Sequence, residues 1–322
     1  MLAAYAARIS PDDPAAGLEV GQVPEPEPVE AWTTVTVKAA ALNHHDVWSL
    51  KGVGLRDDQL PMVLGTDAAG VDEDGNEVVV HAVIGDADRG GGDETLDPKR
   101  SLLSEVHPGT LAEQVAVPRR NLVPKPAGLS FAEAACLPTA WLTAYRMLFT
   151  KSGLTPGQTV LVQGAGGGVA TALVALGSAA GYRVWVTSRD EAKRQHALER
   201  GAAAVFATGD RLPERVDAVM ETVGEATWSH SLKALRPGGR IVVSGATSGM
   251  QPPADLARVY FLQLSVVGST MGTRGELDRL LRFLDTTGVR PLVDATYPLA
   301  DARTAVERLA AGDVFGKLVL TP

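Results

Sequence analysis

The chain has 322 residues, of which 45% are hydrophobic and 21% charged, with a net charge of −8 and a pI of about 5.3. That acidic balance excludes nucleic acid and anionic membrane as main partners, since both call for a basic face. The single cysteine, Cys136, excludes an intrachain disulfide framework and a Cys-rich structural zinc site.

The length points to about two domains. The N-terminal stretch MLAAYAARISPDDP is broken by Arg8, Pro11, Asp12 and Asp13, so no signal peptide is read there. No apolar run reaches the length of a membrane span, and the expected location is the cytoplasm. Up to about residue 127 the chain carries short Val-rich runs between turn residues, TTVTVKAAAL, NEVVVHAVIG and GTLAEQVAVP. These read as strands of a barrel or sandwich. Residues 86–105, DADRGGGDETLDPKRSLLSE, are acidic, Gly-rich and aperiodic and read as a surface loop.

From about 128 the pattern changes. Ser130 with Glu133 three residues on is a helix start, followed by the periodic FAEAACLPTAWLTAYRMLFT. Strand-like TVLVQG, helical GVATALVALGSAAG, strand-like YRVWVTS, helical DEAKRQHALERGA, then VDAVMETVG, SLKALRPGG, RIVVSGA and SVVGST alternate. Such a series predicts a parallel sheet covered by helices on both faces. A helix, a strand-like PLVDATYPL, another helix and a last strand in FGKLVLTP close the chain.

The most informative stretch is VLVQGAGGGVATALVAL. A buried strand runs into Gly164 and a helix leaves near Gly168. Glycines there permit a tight turn and a close approach to a pyrophosphate, and the helix N-terminus at Gly168 and Val169 offers free N–H groups. The spacing is Gly164-x-x-Gly167-x-x-Ala170, a variant of the usual fingerprint. The second strand of such a unit ends in an acid when it binds the ribose 2′-OH of NAD. Here it ends in Thr187 and Ser188, followed by Arg189 and Lys193, which share a face if the helix already covers both. Two cations and a hydroxyl suit a 2′-phosphate and favour NADPH over NADH; Asp190 is the counter-argument, as a ribose acid on a longer strand.

Four pieces in this order, ALNHHDVWSLKG, LPMVLGTDAAGVDEDGNEVVV, the glycine turn and FGKLVLTP, resemble the medium-chain dehydrogenase/reductase superfamily, in particular its zinc-free quinone oxidoreductase branch. The resemblance covers nearly the whole chain. It implies an α/β protein with a GroES-like β-rich catalytic domain, 1–127 with 271–322, and a Rossmann doubly wound parallel-sheet domain, 128–270. It places Val223 after the fourth strand of that sheet, Gly245 and Thr247 after the next, and Met271 after the last, all along the cofactor, with Lys317 approaching the same site. It also suggests a homodimer built through the Rossmann sheets.

The resemblance aligns the three catalytic zinc ligands of the alcohol dehydrogenases with Asn43, Thr66 and a position near Thr139, none of which has a zinc-binding side chain. His44 and His45, read as neighbours on an extended strand, point to opposite faces and cannot chelate one ion. No zinc is expected. Instead His45 stands at the proton-relay position as candidate acid, Asn43 as a pocket amide, and Trp48 as a flat wall for a conjugated substrate. His44 is expected to be structural or exposed, Asp46 and Asp67 to hold loops, and Cys136 to be an inert core thiol. The reading is an NADPH-dependent, zinc-independent reductase of a small quinone or α,β-unsaturated carbonyl. Its rivals are an alcohol dehydrogenase-like enzyme and an NADPH-binding sensor with little turnover.

Overall fold

The computed structural model describes all 322 residues. They form two compact units, Met1–Leu142 with Met271–Pro322, and Thr143–Thr270.

The first unit is β-rich. Its longest strand, Trp32–Ala41, alternates as its sequence does: Thr33, Val35, Val37 and Ala39 are buried, while Thr36 and Lys38 face solvent. It pairs antiparallel with Ala68–Asp72, Gln114–Pro118 and Lys317–Thr321. The sheet continues outward through Glu77–Val80 to Leu122–Pro124 on one side and to Val293–Pro298 on the other. The C-terminal strand therefore completes a sheet begun by N-terminal ones. A smaller sheet joins Leu18–Gln22, Leu2–Ala6 and Met62–Val63, and one apolar core including Val35, Leu42, Leu50, Leu64, Val80 and Leu318 underlies both.

Ser130 caps its helix reciprocally with Glu133, the Glu133 N–H donating to Ser130 Oγ (3.2 Å) and the Ser130 N–H to Glu133 Oε2 (2.8 Å). The change of sequence pattern near 128 is not where the units divide. The helix Phe131–Ala135 packs on Trp32–Ala41 and Ala68–Asp72, so this helical stretch belongs with the β-rich unit. It widens into a π turn at Leu137–Trp141, where Pro138 has no N–H to offer the regular ladder.

The second unit is a six-stranded parallel sheet. Its order is Ala204–Phe206, Arg183–Thr187, Thr159–Gln163, Val216–Glu221, Leu235–Val243, Ser265–Gly268. By sequence that is 3-2-1-4-5-6, the Rossmann order, whose switch point lies beside the first strand. Thr159–Gln163 is buried throughout, as a central strand covered on both faces must be. The loop 86–105 is more ordered than its composition suggests. The fully buried carboxylate of Asp97 accepts from the Asp86 N–H, the Lys99 N–H and the Arg89 guanidinium, and Arg89 above all holds it ionised well below the usual carboxylate range. No helix is long and apolar enough to cross a membrane.

Candidate active site

In the parallel-sheet unit, the strand Thr159–Gln163 ends in Gly164 at φ 87°, left-handed and closed to ordinary side chains. Gly167 is the N-cap of the helix Gly168–Ala179, and no side chain caps it. A Cβ built on Gly167 would meet nothing within 4 Å. Its φ of −73° imposes no glycine either. Nothing inside the chain therefore requires glycine at 167, whereas an anion seated on the bare N–H groups of Gly168 and Val169 does. Val223 lies against Gly164, its Cγ2 3.6 Å from where a Cβ would stand. Gly245 and Thr247 follow the C-terminus of Leu235–Val243, with the Thr247 N–H donating to Thr222 O (3.3 Å).

A buried polar network that the sequence reading did not find braces these strand ends. The Thr187 hydroxyl donates to Gln163 Oε1 (2.5 Å), and Gln163 Nε2 donates to Ser231 Oγ (3.0 Å). Ser231 donates to Glu221 Oε2 (2.6 Å). Glu221, fully buried, also accepts from Thr227 and from the Val223 and Gly224 N–H groups. These residues are scattered through the sequence with no spacing to announce them.

At the end of the second strand, Ser188 is buried and its hydroxyl accepts from the Asp190 N–H (3.2 Å). Asp190 is the N-cap of the helix Glu191–Glu199 and accepts from the Lys193 N–H (3.2 Å). Arg189 thus precedes the helix, and the expectation that it shares a helical face with Lys193 fails: only Lys193 is helical. Arg189 is exposed and without a partner. A further cation, Arg194, folds back to Ser188 O (2.6 Å).

In the β-rich unit the motif Asn43-His44-His45-Asp46 starts a helix, His44–Leu50, rather than ending a strand. Asn43 is the N-cap, and its N–H donates to Asp46 Oδ2 (2.8 Å), the backbone role expected of that acid. His44 is exposed and unpartnered. His45 is different. Its Nε2 lies 3.0 Å from Glu105 Oε1 and its Nδ1 3.8 Å from Asp46 Oδ1. Burial alone would lower its pKa, but the two carboxylates push it up to about 9. Both ring nitrogens face carboxylates of the same unit, so these acids would compete with a substrate for the proton that His45 is expected to supply. Trp48 is half-buried, with Lys51 Nζ 5.5 Å from its ring centre, so it is a partly covered wall.

The three positions aligned with zinc ligands come together. Asn43 Nδ2 donates to Thr66 Oγ1 (3.4 Å), and Thr66 Oγ1 is 2.9 Å from Thr139 Oγ1. Asn43 and Thr66 are buried and Thr139 is partly exposed. This is an amide and two hydroxyls, a poor set for zinc, which takes thiolate, imidazole or carboxylate. No group of three His, Cys, Asp or Glu side chains in the chain is arranged to hold a metal ion.

Lys317 is buried behind Asn43. Its ammonium donates to Leu42 O (2.7 Å), Asn43 Oδ1 (2.5 Å) and Asp67 Oδ2 (3.0 Å). All three N–H groups are taken, so direct cofactor contact by Lys317 is corrected to an anchoring role; Asp67, expected to hold a loop, holds this cation instead. The bond to Oδ1 also fixes which end of the Asn43 amide points at Thr66. Met271 packs on the β-rich core and holds φ 46° without being glycine, a strained conformation of the kind that collects at functional sites. Cys136 is fully buried, and burial pushes its thiol up to about 12, an inert core residue.

Residues 30–127 match the alcohol dehydrogenase GroES-like domain and residues 168–286 the zinc-binding dehydrogenase family. The chain is 30% identical to the zinc-type alcohol dehydrogenase-like protein YogA of Leptosphaeria maculans, over 94% of each chain. A crystal structure of an NAD-dependent alcohol dehydrogenase superposes with a TM-score of 0.91, 36% identity and 100% coverage of both chains. The 2-octenoyl-CoA carboxylase reductase CinF, in complex with NADP and 2-octenoyl-CoA, gives 0.91 at 25% identity, covering 99% of this chain and 87% of that one.

Proposed function

The chain belongs to the medium-chain dehydrogenase/reductase superfamily, and on that premise we propose that this NAD(P)-dependent oxidoreductase uses NADPH, without zinc, to reduce a quinone or an α,β-unsaturated carbonyl. The observation that carries the reading is the hydrogen-bonded set Asn43–Thr66–Thr139, at the three positions the resemblance aligns with zinc ligands, with Lys317 behind it. The bound dinucleotide would supply the hydride. Gly164, Gly167, Gly168 and Val169 would hold its pyrophosphate, with Val223, Gly245 and Thr247 along its length. The partnerless guanidinium of Arg189, Lys193 and the Ser188 hydroxyl favour a 2′-phosphate, since Asp190 is already engaged as a helix cap. CinF, which binds NADP and a conjugated thioester, supports both cofactor and substrate class.

The polar set has a direction. Lys317 fixes Asn43 Oδ1, so the Asn43 N–H donates into Thr66, and the Thr66 and Thr139 hydroxyls share the next bond. With Thr66 as its donor, Thr139, the partly exposed end, would keep its own proton for the oxygen of a bound acceptor. A neutral donor polarises a carbonyl or quinone oxygen less than a metal does. That suits a conjugated acceptor, which spreads developing charge over several atoms. The test is NADPH oxidation with a panel of quinones, enones and simple ketones, before and after exhaustive chelation. Turnover of conjugated acceptors that survives chelation supports the reading; activity only on simple ketones, or only with zinc restored, overturns it in favour of an alcohol dehydrogenase-like enzyme.

Assembly as a homodimer is part of the proposal. Ser265–Gly268 is an edge strand of the parallel sheet with Val266 exposed, and Leu256, Tyr260 and Phe261 nearby in sequence are exposed as well. Exposed apolar side chains and an unpaired strand edge in one segment of the chain favour pairing with a second copy. A sedimentation mass of one chain would refute it.

A further inference from the structure

The β-rich unit contains a second cavity that shares no residue with the Asn43 cluster or the dinucleotide turn. It measures about 450 Å³ and lies under the acidic Gly-rich loop, between Asp86, Asp88, Glu94, Arg120, Arg274 and the imidazole of His81. That volume is within the range of small-molecule sites. His81 is 1% exposed, and neither ring nitrogen makes a hydrogen bond; Nε2 comes no nearer than 3.5 Å to Glu94 Oε1. A buried imidazole with both nitrogens unsatisfied calls for an explanation. A ligand in the cavity it lines would provide one.

The groups around His81 say what kind of ligand. Two of the three acids are already engaged. Glu94 Oε1 accepts from the Arg274 N–H (2.5 Å) at the start of the helix Arg274–Thr287, and Asp86 takes the Arg89 guanidinium (3.0 Å) and the Asp88 N–H (2.9 Å). The cations are less engaged. Arg120 is exposed and unpartnered, and Arg274 donates only one guanidinium N–H, to Leu122 O (3.0 Å). What the cavity has left is two guanidiniums and a buried imidazole, with one free carboxylate, Asp88, on its lining. The guanidiniums favour an anion. Asp88 disfavours a second negative charge on it.

We propose that this cavity is a binding site for a small singly charged carboxylate carrying a hydroxyl or keto oxygen. The carboxylate pairs with Arg120 and Arg274, and the neighbouring oxygen bonds one ring nitrogen of His81. Asn121 fixes the base by donating to His81 O (2.7 Å) and Val83 O (2.8 Å). The Gly-rich loop that composition marks as mere surface is one wall of the site, kept in shape by Asp97.

The test is a titration of the full chain followed by long-range ¹H–¹⁵N spectra of its six histidines, with sodium lactate as probe and sodium phosphate and sodium chloride as comparisons. Lactate shifts the His81 ring signals saturably while chloride does not, and Arg120→Ala, at an exposed position, weakens lactate at least about tenfold. Asp88→Asn tightens lactate and admits phosphate, a gain that damage to the fold would not produce. His81 signals that stay still with lactate, move equally with chloride, or saturate with phosphate but not lactate in the unmodified protein would each overturn the assignment.

Discussion

Lys317→Met tests the anchor of the proposed active site. The methionine keeps most of the stem volume and removes the ammonium, leaving Asp67, which is fully buried, with no countercharge. Breaking a buried pair from one side costs about 3–5 kcal/mol, because the remaining charge stays desolvated. Leu42 O and Asn43 Oδ1 lose a donor in the same step. For a folding unit of this size each kcal/mol moves the midpoint by about 2–4 °C, so calorimetry should record a fall of roughly 6–20 °C in the transition of the β-rich unit. Lys317→Met with Asp67→Leu removes both charges and should recover most of that loss, since a buried pair replaced by apolar groups is often close to neutral. Two results would refute the reasoning: a single variant within about 1 kcal/mol of the parent, or a double variant that loses the sum of the two singles. The first would mean that water reaches Asp67; the second, that the two side chains are not energetically coupled.

Other consequences follow from the same geometry. Thr139→Val removes the last hydroxyl of the polar set at nearly constant volume, and should lower turnover of an enone about 10²-fold, the usual worth of one oxyanion donor, with NADPH affinity unchanged by fluorescence titration. Gly167→Ala places a methyl where the chain has nothing within 4 Å; stability should change by less than about 1 kcal/mol while dinucleotide affinity falls at least about tenfold. Arg189→Ala should weaken NADPH by about 10- to 100-fold, as loss of a charge-assisted bond does, and leave NADH unaffected; equal losses for both would remove the 2′-phosphate assignment. His45 titrates near 9 in the fold against 6.5 in the unfolded chain. Its contribution is therefore fully present below about pH 6.5 and disappears as pH rises through 9, about 3 kcal/mol in all, and His45→Gln should flatten that part of the stability–pH curve.

The sequence makes the parallel-sheet unit legible because its central strands are covered on both faces, so VLV, VWV and AVM read as short apolar runs. The glycine turn reads equally well, since positive φ and bare helix N–H groups leave a compositional mark. Arg189 and Lys193 were separated by a detail the sequence does contain: Asp190 is a strong N-cap residue, and giving it that role would have placed the helix start after Arg189. The proposed catalytic cluster was legible only in part. Asn43, Thr66 and Thr139 could be named as replacements for metal ligands, but that three unremarkable polar residues touch, and that Lys317 is driven in behind them, depends on the C-terminal strand pairing with Trp32–Ala41 across the whole length of the chain. The surroundings of His45 were legible in part for a related reason. Asp46 is its neighbour in sequence, but its second partner, Glu105, is 60 residues away in a loop without periodicity. On the proposed reading, the place of a metal would be taken by a buried ammonium that already has a counterion and orients an amide. Such a site would favour acceptors able to stabilise much of the incoming charge themselves.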